Sequence, residues 1–191
     1  MEHTTRGVRF NWAWGMIVAL LVAAVLSGAA FAQDDSVTDR PDQRPATDAQ
    51  ADPLAYRLEI YVVSFITRDD GTREERYTES TEARPGQMVE YRIFVENVSE
   101  TTLPAGLVQI RLPIPEGTEY VPNSATPSSD RLLTEFSADR GRTFAEPPVL
   151  IGNGDMRTIA DPTSYDEIRW TFFIELEPGQ EEALAYRVIV R

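Results

Sequence analysis

From Tyr56 onward the chain alternates apolar and polar residues with a period of two. Tyr56, Leu58, Ile60, Val62 and Ile66 share one parity, which predicts a strand with that face turned inward. The other parity carries Arg57 and Glu59, then Tyr61, Val63 and Phe65. The far end of this strand is therefore apolar on both faces and reads as central or as lying beneath a loop. Asp69-Asp70-Gly71 supplies a hairpin turn, because glycine tolerates the positive φ that right-twisting strands require there. Arg73 to Ser80 is polar, with only Tyr77 to pack. It predicts an edge strand whose charges oppose edge-to-edge pairing.

The stretch from Arg84 to Ser124 repeats this grammar. Pro85-Gly86 opens a strand in which Val89, Tyr91, Ile93 and Val95 face the core while Glu90, Arg92 and Glu96 face water. Asn97 to Thr102 turns or crosses. Val108, Ile110 and Leu112 form the next inward face, and Pro113 and Pro115 end it, since proline cannot donate to a ladder. Glu116-Gly117-Thr118 turns the chain so that Tyr120 and Val121 pack back. Leu132 to Phe136 is a short strand, and Asp139-Arg140-Gly141 turns it toward Thr143 and Phe144 as a small hairpin.

Glu146 to Pro162 is the longest irregular region, with Pro147-Pro148, Asn153-Gly154 and Asp161-Pro162 around the apolar patch Val149 to Ile151. A long irregular segment on a strand scaffold is the place where local function concentrates. The chain closes on a predicted hairpin. Ile168, Trp170, Phe172, Ile174 and Leu176 point inward, Glu177-Pro178-Gly179-Gln180 turns, and Leu184, Tyr186, Val188 and Val190 return. No segment after Pro53 keeps a 3.6-residue apolar period over three turns. The expected fold is all-β: an antiparallel Ig-like β-sandwich of about seven to nine strands over residues 54–191.

The first 53 residues read differently. Arg6 and Arg9 precede an apolar run from Ala13 to Leu26, and Ala30-Phe31-Ala32 carries small residues at the two positions a signal peptidase reads. About 14 apolar residues suit a signal peptide, whereas a membrane span needs about 20. The expectation is a signal peptide over 1–32 and an exported chain in the periplasm, on the cell surface or outside the cell. An uncleaved segment is its only expected tie to the membrane. Residues 33–53 are rich in Asp, Gln, Pro and Ala and have too little apolar area to offset ordering entropy; they read as a disordered linker.

The chain has no cysteine and a formal net charge of −13. About 160 residues beyond the leader can bury a core without disulfide staples, even in an oxidising compartment. The acidic balance repels phosphate backbones, so nucleic acid is not an expected partner.

Several residues then resemble a known family. Pro85-Gly86-Gln87, Val89-Glu90-Tyr91 and Glu96-Asn97 are similar to the opening of a bacterial surface repeat known as domain of unknown function 11. Leu112 to Val121, with Ser124, resembles that repeat's later Leu-Pro, Gly and Tyr-Val stretch, and Ile168–Arg191 resembles its closing hairpin. The likeness covers about 40 residues well. Leu103-Pro104-Ala105-Gly106 comes earlier than in the repeat, an extra Pro-Ile pair precedes the Gly-Thr turn, and the Tyr56–Ser80 strand pair is an addition. The resemblance implies an Ig-like envelope or surface module and no common reaction.

Chemistry is narrowed by what is missing. The one histidine is His3, inside the expected leader, and all 18 basic residues are arginine. Histidine- and cysteine-based nucleophilic sites, thiolate or imidazole metal sites and lysine Schiff bases are thereby excluded from the remainder. Carboxylate chemistry survives in principle, with Asp155, Asp161 and Asp166 beside Tyr165 or Trp170 as a sugar platform. Asp before turns and prolines equally serves to bind local backbone N–H groups. Calcium is the ion these carboxylates would suit, at Asp69 and Asp70 or at Asp155 and Asp161, although neither pair has the order of a dedicated calcium loop.

Phe94 and Phe173 sit on outward parity among charges and mark either covered core or an interaction face. The reading is an exported, non-enzymatic module without a cofactor, acting in envelope structure, adhesion or protein–protein interaction. Its partner would be an envelope or surface protein, bound by surface complementarity or by strand addition at Arg73–Ser80 or Leu184–Arg191. The alternative is a calcium- or carbohydrate-binding module with its site in the 146–166 loops.

Overall fold

The computed structural model describes residues 52–152 and 154–191. The expected signal peptide, and the expected linker apart from Asp52 and Pro53, lie outside the described residues. So does any tie to the membrane through the leader.

Among the described residues alternation becomes ten strands: β1 (Leu54–Thr67), β2 (Arg73–Glu79), β3 (Met88–Asn97), β4 (Gln109–Pro113), β5 (Thr118–Tyr120), β6 (Leu132–Ser137), β7 (Leu150–Ile151), β8 (Thr158–Ile159), β9 (Glu167–Phe172) and β10 (Glu181–Val190). Five of them form one antiparallel sheet in the order β2-β1-β3-β10-β5, and three form a second in the order β4-β9-β6. The fold is an all-β sandwich. The exposed ladder between β7 and β8 lies apart from both sheets.

The inner faces meet as the parity predicts. Val89, Ile93 and Val95 of β3 and Leu184, Tyr186 and Val188 of β10 share one core with Ile110, Ile168, Trp170 and Phe172. Trp170, Ile168, Val95 and Val188 have no measurable exposure. Burying side chains of this size contributes about 1.5–3 kcal/mol each. Tyr186 bridges the layers, stacked on Tyr91 at 5.0 Å and tilted against Trp170 at 6.2 Å.

Turn residues act as their chemistry requires. Gly71 takes φ 79° and donates to the Arg68 carbonyl at 2.9 Å, closing the β1–β2 hairpin at Asp69-Asp70-Gly71. The Asp139 loop returns as expected, with Phe136 and Ala145 exchanging backbone bonds at 2.9 and 3.1 Å.

The closing hairpin is a correction. β9 belongs to the three-stranded sheet and β10 to the five-stranded one, so residues 173–180 cross between layers. Leu176 is fully buried in that crossing and pairs with Leu103, its N–H donating at 3.0 Å. Apolar alternation on both sides of a Pro-Gly turn specifies two inward faces, but it leaves open whether they are neighbours or opposites.

The strand Leu184–Arg191 is also not a free edge. It lies between β3 and β5, and beyond β5 the 121–126 loop covers it through Val121 N–H to the Arg187 carbonyl and Thr126 N–H to the Ala185 carbonyl. Two parity expectations fail as well. Leu58 and Ile66, expected inside, are 43% and 42% exposed, while Glu90, expected in water, is buried. Leu58 is open because three strands cannot cover five, and Glu90 is enclosed on the opposite face, where Arg187 binds both it and Glu75 of the β1–β2 hairpin.

Candidate functional site

The carboxylates come first, because they carry every catalytic and metal expectation. Asp70 accepts from the N–H and hydroxyl of Thr72 at 2.9 and 2.6 Å, and these bonds hold its pKa below the ordinary range. Asp161 caps the 3₁₀ turn Pro162–Ser164 in the same way, accepting from Thr163 N–H and hydroxyl at 2.9 and 2.8 Å, with its pKa lowered by those bonds. Asp69 is exposed in the β1–β2 turn. Asp155 falls in the 3₁₀ turn Gly154–Met156.

Asp166 accepts from Arg140 N–H at 2.6 Å and so ties the β6 loop to the start of β9. Among the described residues no three acidic side chains gather as a cation would need. Asp69 and Asp70 share one turn, and Asp161 sits in another. Tyr165 as a sugar platform is corrected to core, packed on Phe136 at 4.8 Å and Tyr120 at 5.9 Å, and Trp170, whose inward parity already predicts core, is wholly enclosed and offers no platform.

The outer face of the five-stranded sheet carries a dense ionic network. Arg187 of β10 donates to Glu90 at 2.7 Å and to both oxygens of Glu75 at 2.8 and 2.7 Å. Glu75 belongs to β2, and β1 and β3 separate that strand from β10 in the sheet order. The distal part of the β1–β2 hairpin therefore curls over the outer face. Tyr77 follows it: Arg92 lies 4.7 Å above its ring and 4.6 Å above that of Tyr61. Val63 is buried beneath the arm.

The Arg187 guanidinium, followed by the Tyr77 hydroxyl, brings the Glu75 carboxyl down from an ordinary 4.5 to about 2. Glu75 and Glu90 in turn raise the pKa of Arg187. Ion pairs at open surface contribute ~0–1 kcal/mol, but a bidentate, partly enclosed arginine is the arrangement that fixes geometry. This face is a clamp for the hairpin.

On the inner face the same hairpin leaves something open. β1 is paired with β3 along residues 54–63 but with β2 only from Tyr61 onward. Beside Ile60 and Val62 the sheet forms a groove of about 370 Å³, floored further by Val89, Tyr91 and Val190. Its walls are Ser80, Thr81, Glu82, Ala83 and Pro85 and the turn Glu116-Gly117-Thr118. A shallower depression continues it past Ile60 to the exposed Leu58 and to Glu79.

The volume falls within the roughly 300–1,000 Å³ of binding pockets, and the lining is mainly apolar with carboxylates at the rim. Glu79, Glu82 and Glu116 form no ion pair among the described residues. Arg191 at the same rim is paired with Glu119 at 2.8 Å.

The two phenylalanines separate. Phe94 is half-buried with the Arg57 guanidinium 3.7 Å above its ring, and Arg57 is itself paired with Glu59 and Glu181. Phe173, just past β9, is 50% exposed. They lie on different layers and form no common face. The groove residues escaped the sequence reading because Leu58 and Ile60 carry the same signature as core. The one signal available was the polar break Ser80–Glu82 directly after β2.

Searches against family models, curated proteins and solved structures find no match for this chain.

Proposed function

We propose that the protein is a non-enzymatic interaction module of the cell envelope, and that the uncovered apolar face of β1 is where it holds another protein. The observation that carries this reading is the width mismatch of the sandwich. An inner face built as core runs out past the second sheet and exposes Leu58 beside a preformed groove. Contiguous apolar surface rimmed by polar groups is the signature of a contact surface. The expected signal peptide supports export to the periplasm, the cell surface or the medium. The resemblance to bacterial surface repeats supports a structural or adhesive setting. The burial of Tyr165 and Trp170, the candidate sugar platforms, supports a role without catalysis.

A photo-crosslinking side chain introduced at Leu58 in living cells tests this. One discrete protein adduct is expected from Leu58, and none from Gln109 on the second sheet. Absence of an adduct at Leu58, or recovery of the chain from the cytoplasm alone, overturns the reading.

A further inference from the structure

The open half of β1 carries more information than its exposed leucine. Ser80 N–H donates to the Ile60 carbonyl at 3.1 Å, which fixes Ile60 as a residue whose backbone points away from β3. Backbone direction alternates along a strand, so Leu58 and Tyr56 point the same way. β2 ends at Glu79, and among the described residues no strand faces β1 over 54–59 on that side. The N–H and C=O groups of Tyr56 and Leu58 form a strand edge in line with β2, as if β2 had been cut short.

We infer that this edge is a strand-addition site for an extended segment of a partner protein, apolar toward the groove and basic at its ends. The proposal rests on the interaction reading above and names its mode and partner chemistry. Edges that proteins defend carry charge, proline or a covering loop. β2 is defended by Glu74 and Arg76, and β10 by β5 and the 121–126 loop. At β1 the charges are turned aside: Arg57 lies over Phe94 and is bound to Glu59 and Glu181 on the outer face.

An added strand would continue β2 and place alternate side chains on the inner side, against Leu58 and the mouth of the groove. The same mouth carries Glu79 and Glu82, and Glu116 stands exposed at the rim of the groove, all without ion pairs among the described residues. Arginine or lysine in the incoming segment would supply the missing counter-charges. The chain's own residues 33–51 fit poorly. Pro41 and Pro45 interrupt any ladder, and Val37 is the one aliphatic residue larger than alanine.

The probe is a synthetic peptide of alternating valine and threonine with arginine at each end, titrated into the full chain. Binding is read by fluorescence anisotropy and by amide hydrogen exchange. Expected are saturable binding, new protection at the Tyr56 and Leu58 amides, and at least about tenfold weaker binding when glutamate replaces the peptide arginines, or ~1.4 kcal/mol. The double variant Glu79→Gln, Glu82→Gln should erase most of that preference.

Leu58→Pro removes one open N–H without touching the β3 ladder and should weaken binding about tenfold. The exchange pattern of the unaltered chain decides the matter if that variant does not fold. No binding, equal binding of basic and acidic peptides, or protection arising along β2 would each overturn the proposal. Protection of Tyr56 and Leu58 that rises with protein concentration without peptide would assign the edge to a second copy and overturn it too. A Leu58 adduct in cells without peptide protection would leave the interaction reading standing and remove strand addition.

Discussion

The side-chain amide of Asn97 donates to the carbonyl oxygen of Leu176 at 2.8 Å, inside the core and with no exposure at either residue. The same amide nitrogen reaches the Thr101 carbonyl at 2.8 Å, and its oxygen accepts from Ser99 N–H and hydroxyl at 3.0 and 2.7 Å. One side chain at the end of β3 therefore satisfies the loop that leaves β3 and the crossing from β9 to β10. Asn97→Leu strands these groups without a partner, at about 1–3 kcal/mol for each one left buried. A loss of at least ~2 kcal/mol in urea unfolding is expected, well above that of Ser99→Ala. Comparable losses would show that the crossing is held by its apolar contacts alone.

Acid should weaken the hairpin clamp. Glu75 has its pKa lowered in the folded state, from 4.5 to about 2. Its contribution is complete above pH 4.5, shrinks as pH falls, and is gone below about 2. Asp139 adds to the same slope, because Thr143 N–H and hydroxyl lower its pKa. Unfolding free energy should therefore drop between pH 4.5 and 2, and Glu75→Gln should flatten part of that drop while lowering stability at pH 7. A slope unchanged in Glu75→Gln would mean that the pair does not hold the arm.

Much of this architecture was legible beforehand, and the exceptions share a cause. Val89, Tyr91, Ile93 and Val95 lie inside as their parity requires, and the turns at Asp69-Asp70-Gly71 and Asp139-Arg140-Gly141 close where their residues demand. Parity reports the face of a strand but carries nothing about what covers that face. Leu58 and Ile66 have the parity of core in a place the second sheet does not reach, and Glu90 has the parity of surface under a folded-over arm. The separation of β9 from β10 was invisible for the same reason, since both are inward on opposite walls. At the groove, the apolar floor was legible and its openness was not.

Gly141 provides a steric test. Its φ is 70°, and a Cβ there would stand 2.0 Å from a carboxylate oxygen of Glu167 and 2.6 Å from Arg111 Nη2. Those two are paired, and Arg111 also donates to the Gly141 carbonyl at 3.2 Å. Gly86 has a φ of 84° with open space around it. Gly86→Ala should cost only the left-handed penalty of ~1–2 kcal/mol. Gly141→Ala should cost that and more. Equal thermal midpoints for the two variants would contradict the tight packing.

The phenylalanines on outward parity should respond unequally. Phe173→Ser changes an exposed side chain and should stay within ~0.5 kcal/mol of the parent. Phe94→Ser removes the surface on which Arg57 rests and should cost on the order of 1 kcal/mol. Equal losses would place Phe173 under cover.

Calcium and its removal should leave the midpoint alone. Asp70 and Asp161 each commit one oxygen, Oδ1, to Thr72 and Thr163, and among the described residues no group of three acidic side chains stands ready to complete a cation site. A cation that bound the folded chain would raise stability with its concentration. A midpoint rising with calcium and falling with chelator would restore the metal reading.

The register of the large sheet has a mechanical consequence. β1 and β10 are both antiparallel to β3, hence parallel to each other, with Ala55 and Glu181 opposite Glu96 and with Val63 and Ile189 opposite Met88. The chain enters this sheet at one end and leaves it at the other, about 30 Å away along the strands. Tension between the two flanks thus runs parallel to β1, β3 and β10. It loads both ladders in shear, so that many backbone hydrogen bonds must yield together instead of opening one after another.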